Sequence, residues 1–317
     1  MKVYLDFEKP VADLEGRVAE LRAMDEADDQ VNLSPEIERL EIKAQQTLQD
    51  LYKNLNPWQK TQVARHPSRP HFGDYIAALI DDFTPLSGDR GFSEDAAIVG
   101  GVGRFQGRSV MIMGHEKGTD TQSRLAHNFG MARPEGYRKA VRLMEIAERF
   151  GLPVISLVDT AGAYPGIGAE ERGQAEAIAR STGQCLALGV PNVAVIVGEG
   201  GSGGAVALAS TNVVLMLEHA IYTVASPEAS ASILWRDSAR AADAATAMKI
   251  TAQDLARFGV IDGIIPEPTG GAQRDPAQAV AETGLAIGAA IDRFAGQSAD
   301  DIRAARAKKF REIGRKL

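Results

Sequence analysis

Apolar residues recur at helical spacing near the start of the chain: Val11, Leu14, Val18 and Leu21 trace one face, and after a break Ile37, Leu40, Ala44, Leu48 and Leu51 trace another. Ser34-Pro35 precedes the second run as an N-cap and a first-turn proline. The alternating steps of three and four predict a packed helical hairpin that docks on the rest of the protein. Asn56-Pro57-Trp58 opens a further short helix, and His66-Pro67-Ser68-Arg69-Pro70 is a breaker-rich connection. The reading divides the chain into an N-terminal helical region, residues 1–70, and a larger unit, residues 71–317, that includes the C-terminal helices.

From residue 96 the apolar runs shorten and are split by turns. Residues 96–105, a Gln106-Gly107 turn and residues 109–113 predict a hairpin. A helix over 134–150 follows, stopped by Gly151 with Pro153 beyond it, then a buried strand over 154–158. The cycle repeats with a helix over 170–188, terminators Gly189 and Pro191, and a strand over 193–197. Helices alternating with short apolar strands predict a largely parallel α/β sheet covered by helices. Later elements are strands at 213–217 and 221–224, helices after Ser226-Pro227-Glu228 and after Thr251, with Asp254 as the capping partner, and a basic amphipathic helix over 301–317. That last helix is expected to present a solvated face or a subunit contact.

Each central strand runs into a glycine-rich stretch: Asp159-Thr160-Ala161-Gly162-Ala163-Tyr164-Pro165-Gly166 after the first, and Gly198-Glu199-Gly200-Gly201-Ser202-Gly203-Gly204 after the second. Glycines let a ligand approach the backbone and leave peptide N–H groups outward at a helix N-terminus, where they hold negative charge. Gly198, Gly200 and Gly203 also fit a dinucleotide fingerprint, with Glu218 about twenty residues on, so an NAD-dependent oxidoreductase is the rival reading. Against it, residues 203–211 leave a cramped crossover helix. Gly200, Ser202 and Gly204 fit a nucleophile elbow, but the only later histidine, His219, has only its neighbour Glu218 as an intervening acid. A third reading takes the two loops as one cradle of backbone donors for enolate-like oxyanions.

Composition narrows the classes. With 317 residues, 44% hydrophobic and a formal charge of −7, the chain is a folded protein ill suited to neutralising nucleic-acid phosphates. A single cysteine, Cys185, excludes an internal disulfide and a four-cysteine zinc site, and is read as a buried small hydrophobe. Asp6 interrupts what would be a secretory core, and the uncharged runs 181–198 and 200–217 are broken by glycines and polar residues. The protein is expected in the cytoplasm, off the membrane. His66 and His71 lack metal-ligand spacing and are read as structural or exposed. No Gly-Lys-Ser/Thr phosphate loop is present. Ala247-Met248-Lys249-Ile250 matches a biotinylation tetrapeptide but lies in an alanine-rich helical stretch without the hairpin such a lysine requires.

Several segments carry a resemblance: Gly114-His115 with Lys117-Gly118, Asn128-Phe129-Gly130-Met131, Pro134-Glu135-Gly136-Tyr137-Arg138-Lys139-Ala140, Ala163-Tyr164-Pro165-Gly166, Gly168-Ala169-Glu170-Glu171-Arg172-Gly173-Gln174, the 198–205 stretch, Ala231-Ser232-Ile233-Leu234-Trp235 and Ile264-Ile265-Pro266-Glu267-Pro268. Across essentially its whole length the chain resembles the alpha subunits of bacterial acetyl-CoA carboxylase carboxyltransferase. The resemblance implies a crotonase-like superhelix of ββα units with an N-terminal helical extension. It also implies carboxyl transfer from carboxybiotin to acetyl-CoA, giving malonyl-CoA for fatty acid biosynthesis.

Implied partners are a beta subunit bearing the zinc ribbon, the biotin carboxyl carrier protein, and biotin carboxylase in the complete ATP-dependent complex; two alpha and two beta chains are expected, with no metal on this chain. By resemblance the oxyanion donors are backbone groups of Gly203 and Gly204, supported by Gly162 and Ala163. Gly200, Gly201, Ser202, Tyr164, Pro165 and Gly166 are assigned to the carboxybiotin side. Glu170, Glu171 and Glu199 are read as helix-start charges or anchors. The chain departs from the family at Ala161, where a proline is common, and at Gln122, Ser123 and His127, where relatives are more basic.

Overall fold

The computed structural model describes residues 2–27 and 33–315. Helices α1 (Lys9–Ala27) and α2 (Ser34–Lys53) form the expected hairpin, with Val11, Val18, Ile37, Leu40, Ala44 and Leu48 buried along the facing stripes. The capping expectation needs correction: Leu33 holds the N-cap position, so Ser34 is already in the first turn. Helix α3 (Pro57–Ala64) starts at Asn56, whose side-chain oxygen accepts the Gln59 N–H while the Gln59 side chain accepts the Asn56 N–H, both at 2.9 Å.

Helix α4 (Phe72–Leu79) leads into strand β1 (Asp81–Pro85) and the hairpin of β2 (Ile98–Phe105) and β3 (Arg108–His115). A short helix α5 (Thr121–Ala126) follows, then α6 (Pro134–Phe150), which ends as its sequence foretells, with Gly151 left-handed at φ 65°. Strand β4 (Val154–Thr160), helices α7 (Ile167–Glu171) and α8 (Gln174–Ala187), strand β5 (Asn192–Gly201), helix α9 (Ser202–Ala209), β6 (Val213–Leu217) and β7 (Ile221–Thr223) come next. Helices α10 (Pro227–Trp235), α11 (Ala241–Met248) and α12 (Ala252–Arg257), strand β8 (Gly263–Ile265), α13 (Pro276–Asp292) and α14 (Ala299–Glu312) complete the chain.

The strands form one sheet in the order β1-β2-β3-β4-β5-β6-β8, antiparallel across β1, β2 and β3 and parallel from β3 onward. Strand β5 has two neighbours on one side: residues 193–196 pair with β6, and Glu199, Gly200 and Gly201 pair with β7. Every residue of β4 and β5 is buried, which is why residues 154–158 and 193–197 read as mainly apolar runs. Helices cover both faces. A Cβ at Gly100 would meet Leu143 of α6, while one at Gly114 would meet Phe72 of α4; Gly100 pairs with Met113, so it and Gly114 point to opposite sides.

Two further expectations are corrected. The single helix over 170–188 is two helices, broken at Gly173, which turns left-handed at φ 78°. The basic helix at the C-terminal end is solvated over much of its surface but turns one basic residue inward. Arg306 of α14 is 1% exposed and donates to the carbonyls of Leu186, Leu188 and Val190 and to the side-chain oxygens of Asn192 and Asn212, while Lys309 pairs with Asp262. Residues 316–317 of that reading lie outside the described residues.

Candidate active site

Parallel strands place their carboxyl ends on one edge of the sheet, and both glycine stretches lie there. The second is not a loop for most of its length. Gly198, Glu199, Gly200 and Gly201 continue β5; Ser202, at φ 49°, opens α9 directly after the strand, and Gly203 and Gly204 follow in its first turn. Glycine is required here by proximity: a Cβ at Gly201 would sit 2.1 Å from the Ala161 carbonyl oxygen, and one at Gly198 2.5 Å from an Asp159 carboxylate oxygen. At Gly204 it would lie 2.9 Å from the Gly162 carbonyl carbon and 3.0 Å from the Ala163 nitrogen. Two stretches some forty residues apart in sequence thus close directly on each other.

Their amides are not equivalent. The Gly162 N–H donates to the Thr160 hydroxyl at 3.1 Å and that hydroxyl donates to the Gly162 carbonyl at 2.8 Å, so the Gly162 amide is engaged in its own turn. The Tyr164 N–H donates to the Ala132 carbonyl at 3.0 Å. For the Ala163 N–H no acceptor is found among the described residues. Gly203 and Gly204 lie in a first helical turn, where amides lack intrahelical acceptors, and no side chain caps α9.

Ser202 and Gly203 line a cleft of about 650 Å³ whose other walls include Val206, Tyr222, Val224 and Lys249. Gly200 and Gly201 stand behind it, paired with β7. Tyr164, Pro165 and Gly166 do not line this cleft; Gly166 folds beneath the Tyr164 ring, and the Arg133 guanidinium lies over that ring, 4.8 Å from its centroid.

Charges missed in the glycine-centred reading brace this edge. Asp159 is 5% exposed; its carboxylate accepts the Lys117 ammonium at 2.6 Å and the Glu199 N–H at 2.9 Å, so one side chain joins the ends of β3, β4 and β5. Burial pushes the Asp159 carboxyl up, but Lys117 and these hydrogen bonds more than offset it and hold it below the usual carboxylate range. Glu199 is an anchor: Arg65 grips both its oxygens, at 2.6 and 3.0 Å, and also pairs with Glu228 at 2.6 Å. Arg69 donates to Glu267 at 2.7 and 2.9 Å and to the Val197 carbonyl at 2.8 Å.

Glu170 and Glu171 are exposed at the end of α7. His66 and His71 are not exposed: His66 is held by Val3 and Ser68, and His71 is buried 3.9 Å from Asp159. His219 packs edge-on to Tyr52, ring centroids 5.5 Å apart, outside the cleft that holds Ser202. The signal for these braces was the density of charge inside the breaker-rich Arg65 to Arg69 stretch, which helical periodicity does not read.

The sheet and its helical covering define the crotonase-like fold class. The structure matches transcarboxylase 12S with a TM-score of 0.59 at 20% identity, covering 74% of this chain and 44% of that one. It matches a chain of a Pseudomonas malonate decarboxylase hetero-tetramer with a TM-score of 0.56 at 17% identity, covering 70% of this chain and 91% of that one. Within that class the chain belongs to the acetyl co-enzyme A carboxylase carboxyltransferase-like family, whose model matches residues 4–314. It is 67% identical over 317 residues to the acetyl-coenzyme A carboxylase carboxyl transferase subunit alpha of Methylobacterium nodulans, covering 100% of both chains. It is 68% identical to the subunit of the same name from a Bradyrhizobium species, covering 98% of that chain.

The family, and not helix length, removes the dinucleotide reading, because the eight-residue α9 does complete a crossover between parallel β5 and β6. No helix among the described residues is long and apolar enough to cross a membrane.

Proposed function

We propose that this chain is the alpha half of a cytoplasmic acetyl-CoA carboxylase carboxyltransferase, transferring the carboxyl group of carboxybiotin to acetyl-CoA to give malonyl-CoA for fatty acid synthesis. The observation that carries the reading is the closure of the Gly162-Ala163 turn onto Gly204, beside an apolar cleft, with uncapped amides at Gly203 and Gly204. An uncharged bicyclic ring with one carbonyl fits such walls. As the carboxyl group leaves, negative charge gathers on the ureido oxygen, and the fixed N–H groups of Gly203 and Gly204 stabilise it; one such donor is worth roughly 10² to 10³ in rate. Ala163 is the supporting donor of the first turn, since the Gly162 amide is engaged by Thr160. Tyr164, Pro165 and Gly166 support that turn instead of touching the ring.

The thioester enolate needs a second set of donors, which we place on a zinc-bearing beta subunit, with the biotin carboxyl carrier protein delivering the substrate and biotin carboxylase recharging it. The test is to mix the full chain with its beta subunit and follow malonyl-CoA decarboxylation in the presence of free biotin. Activity in the mixture and in neither chain alone is expected, and a mixture without activity overturns the reading. Gly203→Val, whose Cβ meets the Ile178 side chain at 3.3 Å and whose branches crowd the turn bearing the donor amides, abolishes turnover while the complex still assembles; normal turnover by that variant removes Gly203 from the site.

A further inference from the structure

The cleft beside Gly203 holds two non-glycine residues in the left-handed region, Ser202 at φ 49° and Lys249 at φ 55°. Lys249 caps the C-terminus of α11, a position that glycine or asparagine ordinarily fills because a Cβ is strained there. Strained residues persist where the surrounding structure fixes them, and they cluster at ligand clamps. Here the fixing is visible: the next residue, Ile250, is buried and its carbonyl accepts the Tyr222 N–H at 3.0 Å, tying the cap to the cleft wall.

The charge inventory of the cleft is equally specific. Its walls are Ser202, Gly203, Val206, Thr223 and larger apolar groups, and Lys249 is the one charged residue that lines it. No ion pair or hydrogen bond to the Lys249 ammonium is found among the described residues. A neutral ligand needs no such cation, and a phosphorylated one, with two charges, calls for more than one. A single exposed lysine on the same mainly apolar cleft as Gly203 matches a ligand with an uncharged ring and one carboxylate.

We propose that Lys249 holds the transferable carboxylate of the carboxylated biotin ring and so makes this cleft select the charged carrier over the bare one. The assignment rests on the carboxyltransferase reading of the site. Lys249 neither donates nor removes a proton in it; the ammonium pairs with the carboxylate while the ring carbonyl faces the Gly203 and Gly204 amides, and lets go as the carboxylate leaves.

The experiment uses the full chain in complex with its beta subunit and two fluorescently tagged probes, biotin amide and its N1′-carboxymethyl derivative, whose added carboxylate stands in for the labile one. In the wild-type complex the carboxymethyl probe binds about tenfold more tightly than the amide, the usual worth of one charged hydrogen bond. Lys249→Met abolishes that preference without changing affinity for biotin amide, and Lys249→Arg restores it. Turnover follows: Lys249→Met raises KM for the carboxylated carrier with little change in kcat. A preference that survives in Lys249→Met overturns the role of Lys249 alone. If the wild-type complex binds neither probe and forms no product, the carboxyltransferase reading of the cleft falls, and the role of Lys249 with it.

Discussion

The Gly201 Cα stands so close to the Ala161 carbonyl that an added Cβ would lie 2.1 Å from its oxygen. At Gly203 the same addition meets nothing nearer than a methyl group of Ile178, at 3.3 Å. Two glycines two positions apart therefore differ in kind. Gly201→Ala must push the β4 turn away from β5, costing about 1–3 kcal/mol of stability and lowering kcat by about a hundredfold or more. Gly203→Ala leaves stability within about 1 kcal/mol, because Ile178 can give way and alanine favours the helix. Thermal unfolding with malonyl-CoA formation in the reconstituted complex separates the two, and equal stability for both variants contradicts the close approach.

The Glu267 carboxylate gives the protein a definite acid response. Burial alone would raise it, but the Arg69 guanidinium and the His219 and Ala272 N–H groups hold it down at about 2, against an ordinary value of 4.5. A depressed acid stabilises the fold fully above its unfolded value, and that stabilisation is lost as pH falls from 4.5 towards about 2. The difference corresponds to about 3 kcal/mol at neutral pH. Urea unfolding across this window is expected to show a steep loss of stability that is shallower by one proton in Glu267→Gln. Identical slopes in the two proteins contradict the assignment.

What the sequence showed and what it hid follow from range. The Gly151 stop, the Gln106-Gly107 hairpin and the apolar strands β4 and β5 are local signals, and each lies where its residues suggest. The 198–204 stretch was legible as glycine-rich but not as strand, because its ladder partners Ile221, Tyr222 and Thr223 are set by tertiary pairing. Gly173 was hidden among good helix formers on both sides. The inward turn of α14 was hidden for a similar reason: arginine reads as surface until five neutral acceptors from distant segments surround it.

Those acceptors make Arg306 a strong prediction. Its guanidinium is desolvated with no carboxylate in contact, which pulls its pKa down to about 10. Arg306→Met takes the donor from three carbonyls and leaves the Asn192 and Asn212 side-chain oxygens only each other's backbone N–H, and is expected to cost about 3 kcal/mol. A chemical-denaturation midpoint equal to wild type contradicts the inward docking of α14.

Cys185 provides a simple control. It is 1% exposed, with its sulfur 3.4 Å from that of Met144, and burial pushes the thiol up to about 12. Iodoacetamide at neutral pH is expected to leave the native protein unmodified and to add one group after unfolding, as counted by mass spectrometry. Rapid labelling of the native chain contradicts the packing of α8 against α6.

The Arg69 guanidinium reaches both the Val197 carbonyl on β5 and Glu267 beyond β8. The strand that leads into the Gly203 and Gly204 amides is thereby clamped by two residues 198 positions apart in the chain. A chain cut before Glu267 keeps β5 and α9 but loses the carboxylate that holds the Arg69 guanidinium against the Val197 carbonyl.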